Sequence, residues 1–157
     1  MISCVNRRWV TIGISSAVLA SGANGAWAQD RLTWSAREAH KALLSDRGRV
    51  IDVRTREEWR ETGVGSGIWP ISMHEDRFSE KLFAAKKLAG DRDIGFICAT
   101  GGRSSYLQRA LSQAGYEGYF DISEGMLGSR SGKGWVAIGL PVVQADAALT
   151  SLPEALR

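Results

Sequence analysis

The chain has 157 residues, of which 44% are hydrophobic and 24% are charged, which is typical of one globular domain with a buried core. It carries 20 lysines and arginines against 17 aspartates and glutamates, a net charge of +3. No basic run is interleaved with aromatic residues, so the composition does not favour a nucleic-acid-binding protein.

Residues 1–28 have the pattern of a secretory signal peptide. Arg7 and Arg8 give a positively charged start, residues 10–22 form a short apolar run, and residues 26–28 (Ala-Trp-Ala) fit a cleavage site. The run is too brief to cross a bilayer securely, which disfavours the alternative of a retained membrane anchor. We therefore predict a periplasmic or secreted protein, and the paired arginines leave general and twin-arginine export both open. Loss of these two arginines leaves 18 basic against 17 acidic side chains.

Cleavage would also remove Cys4 and leave Cys98 as the single cysteine. No intramolecular disulfide would then be possible, and an unpaired thiol in an oxidising compartment favours a reactive role. Two histidines are the other candidate ligands: His40, expected at the surface of a helix, and His74, expected in a loop that approaches the site. Their spacing fits no zinc set. Neither a metal nor another cofactor is predicted.

Helix and strand signals alternate along the first half of the predicted mature chain. Ser35, followed by Glu38, forms a capping box and predicts a helix to about residue 46. Residues 50–53 (Val-Ile-Asp-Val) predict a strand buried on both faces of a parallel sheet. Thr55, followed three residues later by a glutamate, caps a second helix through residue 61. Such alternation is typical of an α/β fold.

The alternation continues in the second half. Residues 79–88 predict a helix with Leu82, Phe83 and Leu88 turned inward. An apolar run predicts a buried strand that ends at Cys98, and a further strand is predicted over residues 119–122. The helix after the cysteine should begin near residue 104 and end at a glycine C-cap. Its predicted apolar face and its stop signal are Leu107, Ala110, Leu111, Ala114 and Gly115.

Between the strand and this helix, residues 98–103 (Cys-Ala-Thr-Gly-Gly-Arg) must turn the chain sharply. Glycine permits positive φ, and a turn of this kind aims its amides inward. Those amides, the positive end of the following helix and the guanidinium of Arg103 favour an anion at the centre. We therefore expect Cys98 to be a thiolate at neutral pH. The alternative is an ordinary buried cysteine, but such a residue needs neither two glycines nor an arginine beside it.

The segment from Cys98 to Ser104 resembles the active-site loop of the rhodanese (thiosulfate sulfurtransferase) family, in which cysteine, four residues and arginine precede a serine or threonine and a helix. The resemblance implies that Cys98 is catalytic and carries a persulfide. Phosphatase loops with cysteine and arginine are one residue longer, and the smaller cradle suits a sulfane sulfur. The implied substrate-binding residues are Ala99, Thr100, Gly101, Gly102, Arg103 and Ser104.

Residues 52–59 resemble a second rhodanese signature, a strand ending in Asp-Val-Arg followed by a capped helix. Asp52 and Arg54 are the implied supporting residues, which would orient the cysteine loop. The alternative is that Asp52 caps a turn and Arg54 makes a solvated ion pair, and both interpretations stay open. A histidine that usually follows in the family is replaced by Val64, so the rim of the site departs from the family pattern.

Residues 124–128 and 134–142 resemble the C-terminal signature of the family, a glycine turn and a helix with a tryptophan. Residues 129–133 separate the two halves as a small polar insert. We interpret this insert as a plain connector; a cationic lip for an anionic substrate is the alternative.

The resemblance implies a five-stranded, mostly parallel sheet with helices on both faces. It would form a rhodanese domain over residues 29–143, followed by a peripheral tail over residues 144–157. The implied activity is transfer of a sulfane sulfur from thiosulfate or a related anionic donor to cyanide or a thiol, with a protein acceptor also possible. Two alternatives stay open: a non-catalytic persulfide carrier or binding module, and a phosphatase or arsenate reductase on a related fold.

Overall fold

A computed structural model describes residues 32–157. The predicted signal peptide, residues 1–28, and residues 29–31 lie outside the described residues. Within the described part of the chain, no helix is long and apolar enough to span a membrane.

The described residues form seven short strands, five of which build the central sheet. The strands are β1 (Thr33–Trp34), β2 (Gly48–Asp52), β3 (Val64–Gly65), β4 (Trp69–Pro70), β5 (Asp93–Ile97), β6 (Tyr119–Ile122) and β7 (Val142–Val143). The sheet has the order β1-β6-β5-β2-β4, and each neighbouring pair is parallel. The predicted five-stranded α/β sheet is confirmed. Strands β3 and β7 form a separate antiparallel ribbon.

Helices connect these strands. They are α1 (Ala36–Leu44), α2 (Arg56–Thr62), α3 (Phe78–Ala89), α4 (Gly102–Gln113), α5 (Ala145–Thr150) and a 3₁₀ helix (Glu154–Leu156). Both predicted capping boxes are present: the side chains of Ser35 and Thr55 accept from the amides of Glu38 and Glu58, whose carboxylates accept in return. Each box satisfies two amides that have no partner within the helix.

Two hydrophobic clusters cover the two faces of the sheet. Because side chains alternate across a strand, Ile51 and Phe96 lie in one cluster, whereas Val50 and Ile97 lie in the other. Residues of α3 and α4 complete the first cluster, and residues of α1, α2 and α5 complete the second. Helices therefore cover both faces, as predicted.

The predicted buried face of α3 is partly wrong. Leu82 is buried, but the side chains of Phe83 and Leu88 are 46% and 45% exposed. Ala85 and Ala89 face the sheet instead. These two lie three and seven residues after Leu82, on the same helical face, and their small side chains fill the places where larger ones were expected.

Helix α4 begins at Gly102, two residues before the predicted start. Its buried face is also shifted from the prediction, because it starts at the serine beside the cysteine loop. The buried residues are Ser104, Leu107, Gln108 and Leu111, whereas Ala110 and Ala114 are exposed.

The prediction of a peripheral tail over residues 144–157 is wrong. Leu152 and Leu156 are buried in the first hydrophobic cluster, and Ala145 and Ala148 are buried in the second. The segment therefore contributes to both sides of the core.

The predicted helix with a tryptophan is instead a turn over residues 135–139. Trp135 is fully buried there, and its indole Nε1 donates to the carbonyl of Pro141 at 3.0 Å.

A buried ion pair joins the end of β2 to α2. The guanidinium of Arg54 donates to both carboxylate oxygens of Asp52, with the shortest contact at 2.7 Å, and both side chains are almost fully buried. Arg54 also donates to the hydroxyl of Thr62 and the carbonyl of Gly63. Burial raises the pKa of Asp52, and the hydrogen bonds from Arg54 act in the opposite direction. The pair closes the β2–α2–β3 corner.

We expect Arg54→Met to lower the free energy of unfolding by about 3–5 kcal/mol, because it leaves the Asp52 carboxylate buried without a partner. Urea unfolding at neutral pH measures the loss. The matched control is Arg56→Met, which removes an arginine whose ion pair with Glu75 is solvated and should cost less than about 1 kcal/mol. Equal losses in the two variants would contradict a structural role for the buried pair.

Candidate active site

Cys98 lies directly after the middle strand, at the carboxyl edge of the sheet. Its side chain is buried, with 1% of the residue exposed. The amide of Gly101 donates to its Sγ at 3.2 Å. The residue therefore sits where open α/β folds place their ligands, inside a turn that donates a hydrogen bond to its sulfur.

Ser104 is the second polar contact of the sulfur. Its Oγ lies 3.4 Å from Cys98 Sγ, and either atom can be the donor. The same hydroxyl lies 3.2 Å from the carbonyl of Gly101, to which it donates. A serine hydroxyl has one proton but two acceptor positions. It can therefore accept from a thiol while it bonds to Gly101, or turn its proton to the sulfur when the sulfur is an anion.

The first turn of α4 supplies further donors. The amides at the start of a helix have no partner within it, and here these are the amides of Gly102, Arg103 and Ser104. The first bond of the helix runs from the amide of Ser105 to the carbonyl of Gly101. Free amides at a helix start bind anions.

A turn after β6 supports the cysteine loop from behind. The amides of Met126 and Leu127 donate to the carbonyls of Cys98 and Ala99 at 2.8 and 2.9 Å. These bonds direct the two carbonyls away from the interior of the loop. They fix the peptide planes on both sides of the cysteine.

Arg103 is held by a carboxylate from a different part of the chain. Its guanidinium forms a bidentate ion pair with Glu58, at 2.8 and 2.5 Å, and both side chains are partly exposed. Glu58 is chiefly responsible for raising the pKa of Arg103, and the nearby Cys98 adds to the effect. The hydrogen bonds from Arg103 in turn lower the pKa of Glu58 to about 2. The positive charge of Arg103 thus lies near the sulfur and is partly balanced by the carboxylate of Glu58.

The remaining candidate side chains form no hydrogen bond with the cysteine loop within residues 32–157. The side chains of Asp52 and Arg54 bond to each other, and Arg54 also bonds to α2 and to the carbonyl of Gly63; within residues 32–157, neither side chain donates to or accepts from the cysteine loop. His74 lines a cavity with Arg77, Lys81 and the C-terminal arginine, and His40 packs edge-on against the indole of Trp135. In the described part of the chain, no three potential metal ligands form a cluster.

Two parts of the site were missed from the sequence. Glu58 was identified as a capping residue, but its ion pair with Arg103 joins positions 45 residues apart, and no local pattern signals such a contact. The support from Met126 and Leu127 was also missed, although the sequence shows a glycine beside them. That glycine, Gly125, has a φ of +66°, and a Cβ there would lie 2.5 Å from the carbonyl oxygen of Ala99.

The fold and this geometry define an α/β domain with a cysteine inside an anion-binding turn at the carboxyl edge of a parallel sheet. Residues 35–130 match the family described as Rhodanese-like domain, which covers more than half of the chain. The protein therefore belongs to the rhodanese-like domain family, whose fold is of the sulfurtransferase type. The family prediction made from the cysteine loop is confirmed.

The chain is also similar to individual proteins. The chain is 30% identical over 119 residues to an uncharacterized protein of Rickettsia rickettsii, a match that covers 66% of this chain and 90% of that one. An uncharacterized protein of Rickettsia conorii is 29% identical over the same share of each chain. Among solved structures, Rv0390 from M. tuberculosis is 26% identical with a TM-score of 0.52, over 70% of this chain and 95% of that one.

We expect Gly101→Ala to distort the cysteine loop. Gly101 has a φ of +84°, and an added Cβ would lie 2.3 Å from the carbonyl oxygen of Ser123. The unfolding free energy should fall by about 2 kcal/mol or more. The neighbouring Gly102→Ala is the matched control, because its Cβ would meet nothing within 4 Å, and it should change stability by less than about 1 kcal/mol. Similar losses in both variants would contradict the steric argument.

The Glu58–Arg103 pair predicts a pH-dependent stability difference. The pKa of Glu58 lies near 2 in the folded chain against an ordinary value of 4.5, so the pair stabilises the fold above about pH 4.5 and loses this effect as the pH falls toward 2. Glu58→Gln, which keeps an acceptor for the helix cap, should cost about 1–2 kcal/mol at neutral pH. Denaturant unfolding of both proteins at a series of pH values measures the difference.

The exposed neighbour provides the control for that series: Glu57→Gln should lower stability by less than Glu58→Gln, since the Glu57 carboxylate is exposed and its contact with Arg60 is long, at 3.8 Å. A cost of Glu58→Gln that stays constant down to pH 2 would show that the charge of Glu58 does not act through Arg103.

Proposed function

We propose that this protein is a sulfurtransferase that moves a sulfane sulfur from thiosulfate or a related anionic donor to cyanide or a thiol, through a persulfide on Cys98. One observation carries the proposal: Cys98 Sγ accepts from the amide of Gly101, in a turn that leads into the unpaired amides of the first turn of α4, with Arg103 nearby. These groups favour negative charge on sulfur.

In the first step, the Cys98 thiolate attacks the outer sulfur of thiosulfate. A bond forms between Sγ and that sulfur, the sulfur–sulfur bond of the donor breaks, and the bonding electron pair leaves with sulfite. The amide of Gly101 and the free amides of the α4 start are fixed donors for the persulfide anion, and fixed donors cost little reorganisation when the charge forms. No outside oxidant or reductant is required.

In the second step, cyanide or a thiol attacks the outer sulfur and returns Cys98 to a thiolate. Ser104 supports this exchange because its hydroxyl can turn between the carbonyl of Gly101 and the sulfur. Arg103 supports release of the sulfite dianion, although it must weaken its ion pair with Glu58 to do so.

We also propose that the protein acts outside the cytoplasm, in the periplasm or after secretion. The support is the pattern of residues 1–28 in the sequence, and the matching proposal is cleavage after Ala28. Mass spectrometry of the N-terminus of the protein recovered from its host tests this directly. An intact N-terminus in a cytoplasmic fraction would contradict it.

We expect Cys98→Ser to lower thiocyanate formation from thiosulfate and cyanide by about three orders of magnitude or more, because serine supplies a far weaker nucleophile. Intact mass after exposure to thiosulfate should show one added sulfur atom in the parent protein and none in the variant. Cys4→Ser is the matched control in the full chain, and it should retain both readouts.

The outcomes separate the alternatives. Thiocyanate formation that persists in Cys98→Ser would contradict the assignment of the nucleophile. A persulfide that forms once and is not passed to any small acceptor would indicate a carrier. Faster hydrolysis of aryl phosphates than use of thiosulfate by the parent protein would indicate a phosphatase.

A further inference from the structure

Asp121 is a buried carboxyl that the proposed reaction leaves unused. Only 7% of the residue is exposed, and its Oδ1 is buried with no hydrogen-bond partner in the described part of the chain. Native structures rarely leave such an acceptor unpaired, and a carboxylate charge is costly to bury without a donor. A partner for this carboxyl is therefore expected within the fold.

The sheet brings Asp121 to the same face as Cys98. Asp121 of β6 is paired in register with Phe96 of β5, and Cys98 follows Phe96 by two residues. Side chains two residues apart along a strand point to the same face. In agreement, Phe96, Cys98 and Tyr119 all belong to the first hydrophobic cluster. Since Tyr119 precedes Asp121 by two residues, the carboxyl and the sulfur face the same side of the sheet.

The Ser104 hydroxyl is close to both the sulfur and the carboxyl. Ser104 is fully buried on α4, whose inward residues Leu107 and Leu111 pack on that same side of the sheet. Its Oγ is 3.4 Å from Cys98 Sγ. Burial raises the pKa of Asp121, and the Ser104 hydroxyl is the strongest of the influences that lower it. The hydroxyl donates to a loop carbonyl here, but it also has two acceptor positions and can turn toward either group.

We propose that Asp121 takes up the thiol proton of Cys98 through the Ser104 hydroxyl, so that the carboxyl and the sulfur share one negative charge. The inference rests on the proposed function, in which the reaction begins with the thiolate. Asp121 is a positioning residue in this arrangement, because it acts on the sulfur only through Ser104. Cys98 is 1% exposed, so an acceptor within the fold receives the proton without water at the sulfur.

The proton transfer balances without another reactant. The S–H bond of Cys98 breaks and its proton passes to Ser104 Oγ, while the Ser104 O–H bond breaks and that proton passes to the Asp121 carboxylate. The electron pair of the S–H bond stays on the sulfur. A thiol and a carboxylate thus become a thiolate and a carboxylic acid. The Ser104 hydroxyl then donates to the thiolate, and the Asp121 carboxyl donates to Ser104 Oγ.

The charged and titratable groups around Asp121 decide whether the two ionisations are linked. Those that face it are Arg109 of α4, Arg130 of the 128–131 turn, Tyr119 of β6 and Cys98 after β5. Its neighbour in register on β1 is Thr33, which carries no charge. Arg109 favours the carboxylate, and Tyr119 stays neutral because burial raises its pKa. Cys98 is therefore the group whose ionisation adds a like charge, and two such acids lose their protons in two linked steps.

The test is the pH dependence of iodoacetamide alkylation in the full chain, with the rate at Cys98 read by peptide mass spectrometry so that Cys4 does not contribute. The parent rate should rise in two steps, because some thiolate forms while the pair holds one charge and the rest forms when both groups ionise. The amide of Asp121→Asn cannot ionise, so its rate should rise in one step, about one pH unit below the second step of the parent. Asp93→Asn, at the opposite end of β5, is the matched control and should keep both steps.

Ser104→Ala separates a proton relay from a simple charge effect. Without the hydroxyl, the shift caused by Asp121→Asn should fall to less than about half, whereas direct repulsion between the two charges would leave it unchanged. An unchanged shift would overturn the role of Ser104. A single step in the parent would overturn the shared charge, whether or not the variants fold.

Intact mass after exposure to thiosulfate distinguishes this inference from the proposed function. If no sulfur is added, but the parent shows two steps and Asp121→Asn shows one, the proposed function fails and the shared charge stands. If a persulfide forms, but both proteins show one step with the same midpoint, the shared charge alone is overturned.

Discussion

The shape of the cysteine loop depends on one close approach, that of Gly101 to the carbonyl of Ser123. No side chain fits between them, because a Cβ on Gly101 would lie 2.3 Å from that oxygen. Gly125 makes the reciprocal approach to the carbonyl of Ala99. Two glycines therefore let the loop and the turn after β6 touch through their backbones, and the amide bonds from Met126 and Leu127 become possible. The amide that bonds the sulfur is held by this contact.

Arg54 and Arg103 differ in burial, and this difference decides which of the two charges can interact with a substrate anion. Arg54 is enclosed, and its donors are used by Asp52, Thr62 and Gly63. Breaking that set would leave several buried groups unpaired, so Arg54 has no freedom to move. Among the described residues, Arg103 has only Glu58 as a carboxylate partner, and both side chains are partly exposed. Water can replace part of this ion pair, so Arg103 can shift toward an anion at the sulfur at a smaller cost.

Glu58 connects this electrostatic arrangement to the fold. The carboxylate that pairs with Arg103 also caps α2 by accepting from the amide of Thr55 at 2.9 Å. The start of α2 and the start of α4 are thus joined through one side chain. A negative charge at the α2 start is favoured by the helix dipole. The cap therefore holds Glu58 in place independently of its ion pair with Arg103.

Local signals predicted most of the fold and the centre of the site. Capping boxes placed α1 and α2, the apolar runs placed β2 and β5, and the turn after Cys98 was recognised from its glycines and its arginine. Predictions failed where a position depended on distant packing. Phe83 and Leu88 had the right periodicity, but alanines of the same helix face the sheet, and Leu156, far from the sheet strands in sequence, is buried in the first hydrophobic cluster.

The contacts that tune the site were equally beyond local patterns. The Glu58–Arg103 pair spans 45 positions, and nothing around Asp121 in the sequence signals that its Oδ1 is buried without a hydrogen-bond partner in residues 32–157. Such contacts follow from the sheet order. The order places β6 next to β5, and only then do the end of β6 and the cysteine loop share one edge.

The burial of Cys98 sets different size limits on the sulfur donor and on the acceptor of the proposed reaction. Only 1% of the residue is exposed, so a donor must enter the cradle itself to reach Sγ, and only a small anion meets that condition. After transfer, the reacting atom is the outer sulfur, which extends about 2 Å beyond Sγ. A larger acceptor then needs to approach the loop but not enter it. A tight cradle for the donor and an open approach to the loop for the acceptor are the two conditions that this division requires.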